Sequence, residues 1–250
     1  MGKITVEICC GSVDDAVLSY KSGADRIEFN TALSLGGLTS SLGMFKVARR
    51  LCQIPIMCMV RPRDGGFFYT DFDFESMLSD ARAFMDAGAD GLVFGFLDKE
   101  GNIDTERTKR MVEIAGEESV FHKAFDVHLE RQGKNLETLI SCGIKRVLTS
   151  GGKKTAEEGI PNLKALMDQA KGRIEILPGG GVRDNNAIKI IKETGCDQLH
   201  RTCHKDCIDY SMLESSHMDF TSSGVPKEAV FPIVDSEAVK NFLNLLKNTQ

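Results

Sequence analysis

The sequence is short of several things, and each shortage excludes a class of protein. No apolar run approaches the ~18 residues of a membrane-spanning helix. No run of Lys or Arg is longer than a pair, and the formal net charge is −5. A nucleic-acid footprint needs a basic patch, so neither nucleic acid nor membrane is an expected partner. There is no low-complexity stretch and no linker that would divide the chain. No export signal is visible, since Met1-Gly2-Lys3 leads straight into an apolar stretch. The 8 cysteines are too few and too scattered for a disulfide scaffold in 250 residues. They are expected to be reduced thiols in a cytoplasmic protein. What is present is ample core material. With 42% hydrophobic and 27% charged residues, one large core can form over residues 1–250.

One short pattern recurs. Gly23-Ala24-Asp25-Arg26-Ile27-Glu28-Phe29-Asn30 reads as a helix end, a turn and a strand. Gly closes the helix because it takes the left-handed conformation without steric cost. Equivalent stretches begin at Gly88, Gly143 and Gly195. The spacing fits two strand–helix units of ~30 residues between copies. Four copies at two units each give eight units, the arithmetic of an α/β protein with a single-domain (β/α)8 TIM barrel. A doubly wound open sheet is the other α/β arrangement, but eight evenly spaced units favour closure.

The intervening segments read accordingly. Strands are expected at Thr5–Cys10, from Ile56 to Val60 behind Pro55, at Ser119–Phe125 and at Ile174–Leu177. Helices are expected at Val13–Ser22 behind Ser12, at about Leu42–Leu51, at Asp73–Ala87, at Asp104–Ala115, at Leu136–Cys142, from Pro161 to Lys171, at Asn185–Thr194 and at Ser236–Lys247. A segment at about 206–232 lacks periodicity and is expected to run irregularly over the mouth of the barrel.

In a barrel of this kind, functional groups sit where strands end and the following loops begin. Alternation along each strand sends charged residues to the interior and the apolar parity to the helix layer. This reasoning gathers Glu7, Glu28, Arg61, His122 and His200 in one cavity, with Asp126 just beyond it. Such groups perturb one another's protonation, as acid–base sites require; alternatively they pair off within a polar core. Aligning the four copies places Glu28, Val93, Leu148 and His200 in one interior layer. Asn30, Gly95, Ser150 and Thr202 then fall at the rim.

Pro178-Gly179-Gly180-Gly181 follows the seventh strand. Its backbone N–H groups could receive an anion, with Arg61, Arg63 and Ser150 as further substrate-binding groups; a tight turn that needs small residues is the other reading. Two thiol groupings suit a soft metal. Cys9 and Cys10 are adjacent on a strand, so only Cys9 shares the face of Glu7. His200, Cys203, His204 and Cys207 form the second grouping, of which the last three could share a helical turn.

A set of motifs in fixed order then carries a resemblance. Val6-Glu7-Ile8-Cys9, Gly36-Gly37-Leu38-Thr39, Arg61-Pro62-Arg63, Gly91-Leu92-Val93-Phe94-Gly95, Phe121-His122-Lys123-Ala124-Phe125-Asp126, Arg146-Val147-Leu148-Thr149-Ser150-Gly151 and Pro178-Gly179-Gly180-Gly181, with the first repeat, resemble the CutC copper homeostasis family. The likeness runs from about Ile4 to His200. It implies a cytosolic TIM barrel that binds copper, with Cys9 as a metal ligand; Cys10, next to it in the chain, is a second ligand to test. The family often has Cys where this chain has Asn30, and Arg where it has Lys123. Alongside copper binding stands a second expectation, an enzyme working by acid–base chemistry on a phosphorylated or carboxylated small molecule. A small anionic ligand and a homo-oligomer are compatible with both.

Overall fold

The computed structural model describes residues 2–213 and 230–248. Eight parallel strands alternate with helices. They are β1 (Thr5–Cys10), β2 (Arg26–Phe29), β3 (Ile56–Met59), β4 (Gly91–Phe94), β5 (Ser119–Phe121), β6 (Arg146–Thr149), β7 (Glu175–Pro178) and β8 (Gln198–Arg201). The ladder runs β7-β6-β5-β4-β3-β2-β1-β8. Among the described residues no ladder joins β7 to β8, but Gln198 Nε2 donates to Glu175 Oε2 at 3.1 Å across that seam. The barrel is therefore nearly closed, as the repeat arithmetic required.

The outer layer consists of α1 (Val13–Ser22), α2 (Leu42–Leu51), α3 (Asp71–Asp86), α4 (Thr105–Ala115), α5 (Gln132–Cys142), α6 (Ile160–Ala170), α7 (Ala187–Thr194) and α8 (Ser236–Lys247). The repeated glycine does what its sequence context demands. Gly23, Gly143 and Gly195 close α1, α5 and α7 at φ of 94°, 82° and 76°, a backbone that side-chain-bearing residues rarely adopt. The Asp of the repeat has its own task. Asp25 accepts from the Val6 amide at 2.9 Å and Asp90 from the Ile56 amide at 2.8 Å, each fastening the start of a neighbouring strand.

Strand alternation divides the apolar residues into two cores. Ile27, Phe29, Phe45 and the other outward residues form the layer between strands and helices. Met57, Met59, Val93, Val120, Leu148 and Leu177 form a separate plug inside the barrel. Full burial of a side chain such as Phe45 contributes on the order of 2–3 kcal/mol. Below the plug lies a belt of charge. Arg26 donates to Glu7 and, at 2.9 Å, to Gln198, while Arg146 Nε donates to Glu175 at 2.7 Å. Above the plug the barrel opens onto its loops.

Several sequence expectations change; α5, for one, begins at Gln132 instead of Leu136. β5 stops at Phe121 instead of Phe125, because His122 ends the strand and caps a short 3-10 helix over Lys123–Val127. α3 begins at Asp71, two residues early, since Thr70 and Asp73 form a reciprocal capping box. The segment at about 206–232 is not irregular at its ends. β9 (His204–Ile208) pairs antiparallel with β10 (Val230–Val234). Val234 donates to Asp15 of α1 at 2.7 Å, so the pair is anchored at the rim beside that helix. Residues 214–229, where the mouth-covering expectation mostly falls, lie outside the described residues.

Candidate functional site

The site is built from strands that meet at the seam between β8, β1 and β2. Parallel register sets Glu7 beside His200 and Cys9 beside Glu28. All four point inward, as alternation predicts. His200 Nδ1 and Glu7 Oε1 lie 2.7 Å apart. Cys9 Sγ donates to Glu28 Oε2 at 3.4 Å, and His200 Nε2 stands 3.9 Å from the same oxygen. Ligand atoms of Cys9, Glu28 and His200 all lie within 4.8 Å of one another, and all three residues are buried. Asn30 Nδ2 donates to Glu28 Oε2 at 2.9 Å and approaches Cys9 Sγ at 3.6 Å.

The electrostatics follow from burial and neighbours. Burial alone would raise the Glu7 carboxyl, but the Arg26 guanidinium and then His200 outweigh it and bring it down to about 2. Glu7 is thus a permanent anion behind the His200 ring. Burial disfavours the charged form of His200, yet Glu28 and Glu7 together raise it above its usual value. Burial, followed by the Glu28 charge, pushes the Cys9 thiol well above its usual range. The thiol therefore keeps its proton until something displaces it.

The rest of the mouth is lined by polar atoms that find no hydrogen-bond partner among the described residues. Glu28 Oε1, Asn30 Oδ1 and His122 Nε2 are all buried and unpaired. An unpaired buried polar atom costs about 1–3 kcal/mol, so three in one mouth point to a ligand, an ion or water. His122 Nδ1 accepts from the Ala124 amide at 3.2 Å. Its ring packs on Phe67 at 4.8 Å, with the Arg61 guanidinium 5.5 Å from the same ring's centre. Arg61 also donates to the backbone oxygens of Leu35, Gly37 and Gly65, which ties two rim loops together.

Other expected site residues are placed elsewhere. Cys10 faces the helix layer, 3.3 Å from Ser19 Oγ, and is no partner of Cys9, because adjacent strand residues face opposite ways. Asp126 is not a free acid. Its carboxylate accepts from Thr149, from the Ser150 amide and hydroxyl at 2.9 and 3.0 Å, from the Gly152 amide at 2.9 Å and from Gln132 at 3.1 Å. It clamps the loop after β6, and Ser150 is spent in that clamp. Arg63 pairs with Asp73 at 3.2 Å on the outer rim. Gly179 lies in the interior, where a Cβ would come within 2.5 Å of Leu148 and 3.2 Å of His200. Gly180 faces Lys123 Nζ, and Gly181 packs on Thr155.

The Cys203/His204/Cys207 grouping does not share a helical turn, since β9 carries two of the three. His204 lies 3.5 Å from Asp15, and Cys203 is buried. Sequence reasoning missed Arg26, Gln198, Arg146 and Glu175, the charged belt beneath the plug. Their interior parity was available, since Arg26 sits two residues before Glu28.

Eight parallel strands in a nearly closed barrel, opening on an inward cluster of one thiol, one imidazole and one carboxylate, define a TIM-barrel protein with a candidate metal site. The chain belongs to the CutC family, whose sequence model matches residues 4–205. A CutC family protein of Treponema denticola is 53% identical over 201 residues, covering 80% of this chain and 81% of the relative. The mouse copper homeostasis protein cutC homolog is 44% identical over 244 residues, 97% of this chain and 89% of that one. A CutC structure from Streptococcus agalactiae superposes with a TM-score of 0.75 at 34% identity, covering 79% of this chain and 98% of its own. A phosphoribosylanthranilate isomerase from Pyrococcus furiosus, at 16% identity and TM-score 0.59 over 98% of this chain, shares the fold. Among the described residues no helix is long and apolar enough to cross a membrane.

Proposed function

We propose that this chain binds a single copper ion as cargo in the barrel mouth, held by Cys9 Sγ, Glu28 and His200 Nε2, in the copper-homeostasis role that its relatives' names carry. The observation behind this reading is the convergence of three ligand atoms within 4.8 Å of one another. The donor set fits a copper ion. Thiolate and imidazole are the soft and borderline donors that copper takes, and Glu28 Oε1 stands unpaired beside them. Glu7 acts behind His200 as the carboxylate that turns a ligating ring and raises its basicity. The Cys9 proton would be released to solvent on binding, since Glu28, which the thiol now contacts, must keep its charge to serve as a ligand. All 8 cysteines are free thiols, which accords with action in the reducing cytoplasm.

Copper(I) titration of the purified protein under a competing chelator tests the reading. Stoichiometric binding is expected, weakened at least tenfold by Cys9→Ser and by His200→Asn. Binding no tighter in wild type than in the double variant would overturn it.

A further inference from the structure

The metal triad leaves unexplained the other side of the mouth, where Arg61 and His122 pack on one Phe67 ring. His122 ends β5 and caps the short helix that follows, so the Ala124 amide points at its Nδ1. A nitrogen that accepts this bond carries a lone pair, and in a neutral ring the proton then sits on Nε2. Burial, and then the Arg61 charge, hold the ring neutral by bringing His122 down to about 3. Nε2–H is therefore a fixed donor, 4% of the residue being exposed, and it has no partner among the described residues. A neutral imidazole fixed by a helix-start amide is the form that donates to a carbonyl oxygen without giving up its proton.

Arg61, on β3's extension beside the same Phe67, turns its side chain to the buried Tyr69 hydroxyl. On the neighbouring β2 side, Glu28 Oε1 and Asn30 Oδ1 are unpaired acceptors. One donor and two acceptors match a carbonyl next to a hydroxyl. Lys123 adds a cation. Its Nζ lies 3.2 Å from where a Gly180 Cβ would stand, and no described group accepts from the Gly180 amide. Any residue but glycine at 180 would crowd that ammonium, and the backbone there is left-handed at φ 97°.

We infer that the mouth of this barrel binds a small phosphorylated hydroxy-carbonyl compound, its carbonyl oxygen on His122 Nε2–H, its hydroxyl on Glu28 and Asn30, and its phosphate at Lys123 and Gly180. Glu28 is shared with the proposed copper site, but His122 and Lys123 supply no ligand to it, so variants at those two positions on the metal-free protein test the inference separately.

Calorimetric titration with dihydroxyacetone phosphate tests this, with dihydroxyacetone and inorganic phosphate as separate probes on the metal-free protein. The expected result is saturable binding of dihydroxyacetone phosphate at least tenfold tighter than of either fragment. His122→Phe keeps a ring against Phe67 but has no donor. It should weaken binding at least tenfold and abolish the downshift of the bound carbonyl stretch in the infrared. Lys123→Met, at an exposed side chain, should weaken dihydroxyacetone phosphate but not dihydroxyacetone. Absence of binding, equal binding of inorganic phosphate, or an unshifted carbonyl in the wild-type complex would each overturn the inference. Copper(I) titration of the same His122→Phe protein serves as the folding control, and its affinity should match wild type.

Discussion

Glu7 and His200 meet across the β1–β8 seam, carboxylate to ring nitrogen at 2.7 Å. That one contact joins the charged belt under the apolar plug to the ligand cluster above it, because the other Glu7 oxygen accepts from Arg26. Its consequence is directional. With Nδ1 engaged from below, Nε2 is the His200 atom left to face Glu28.

Glu7→Gln should therefore lower metal affinity about 10–100-fold, the usual effect of losing a carboxylate behind a ligating histidine. It should also destabilise the fold by about 3–5 kcal/mol, since Arg26 is left buried without its counter-charge. Competitive copper titration and urea unfolding read the two effects separately.

Asn30→Cys should do the opposite for copper(I). The amide nitrogen it replaces approaches Cys9 Sγ at 3.6 Å, so a thiol there would stand next to the first. Copper(I) affinity is expected to rise at least tenfold, while zinc affinity, measured in parallel, should rise less because zinc gains less from a second soft ligand.

Asp126→Ala should leave metal binding unchanged and unfold the protein more easily. The carboxylate accepts from Ser150, Gly152, Thr149 and Gln132, so its loss strands several donors at once. A loss on the order of 3 kcal/mol or more is expected in urea unfolding. A fall in copper affinity as large as that of Cys9→Ser would show that Asp126 belongs to the site.

Gly95→Ala tests the seat of His122. The backbone there is unstrained, but a Cβ would lie 2.5 Å from His122 Cε1. The ring must move, at a cost of about 1–3 kcal/mol. The 15N spectrum of the histidine ring reports the displacement, as loss of the wild-type Nε2–H tautomer signal.

Stability should fall in acid through Glu175. Burial works against its charge, but Arg146, Gln198 and Lys145 outweigh burial and hold its carboxyl below the usual range. A depressed folded value means stabilisation that is complete above the unfolded carboxylate value, about 4.3, and lost as pH falls through the folded one. The urea midpoint should drop below about pH 4, and Glu175→Gln should flatten that part of the profile.

The repeat at Gly23, Gly88, Gly143 and Gly195 was enough to count strands, because helix ends need a left-handed residue and strands need alternation wherever they occur. The same alternation placed Glu7, Cys9, Glu28 and His200 inward and Ile27 and Phe29 outward, since a one-residue error would bury charge among the helices. It misjudged residues beyond the strand ends. Asp126 looked like a free acid, and its saturation depends on donors from α5 and from the loop after β6, brought together only by folding. His122 looked like a proton carrier. Where its strand stops, and so which amide reaches Nδ1, is decided by the turn into the short helix.

Periodicity and special backbone positions are local, so the chain by itself determined the barrel, its strand count and which faces carry charge. Which charges are spent on one another and which stay unpaired depends on register and on loops converging from distant segments. The tertiary structure alone decided that Glu7 backs His200, that Asp126 is saturated by its neighbours, and that Glu28 Oε1, Asn30 Oδ1 and His122 Nε2 are left unpaired.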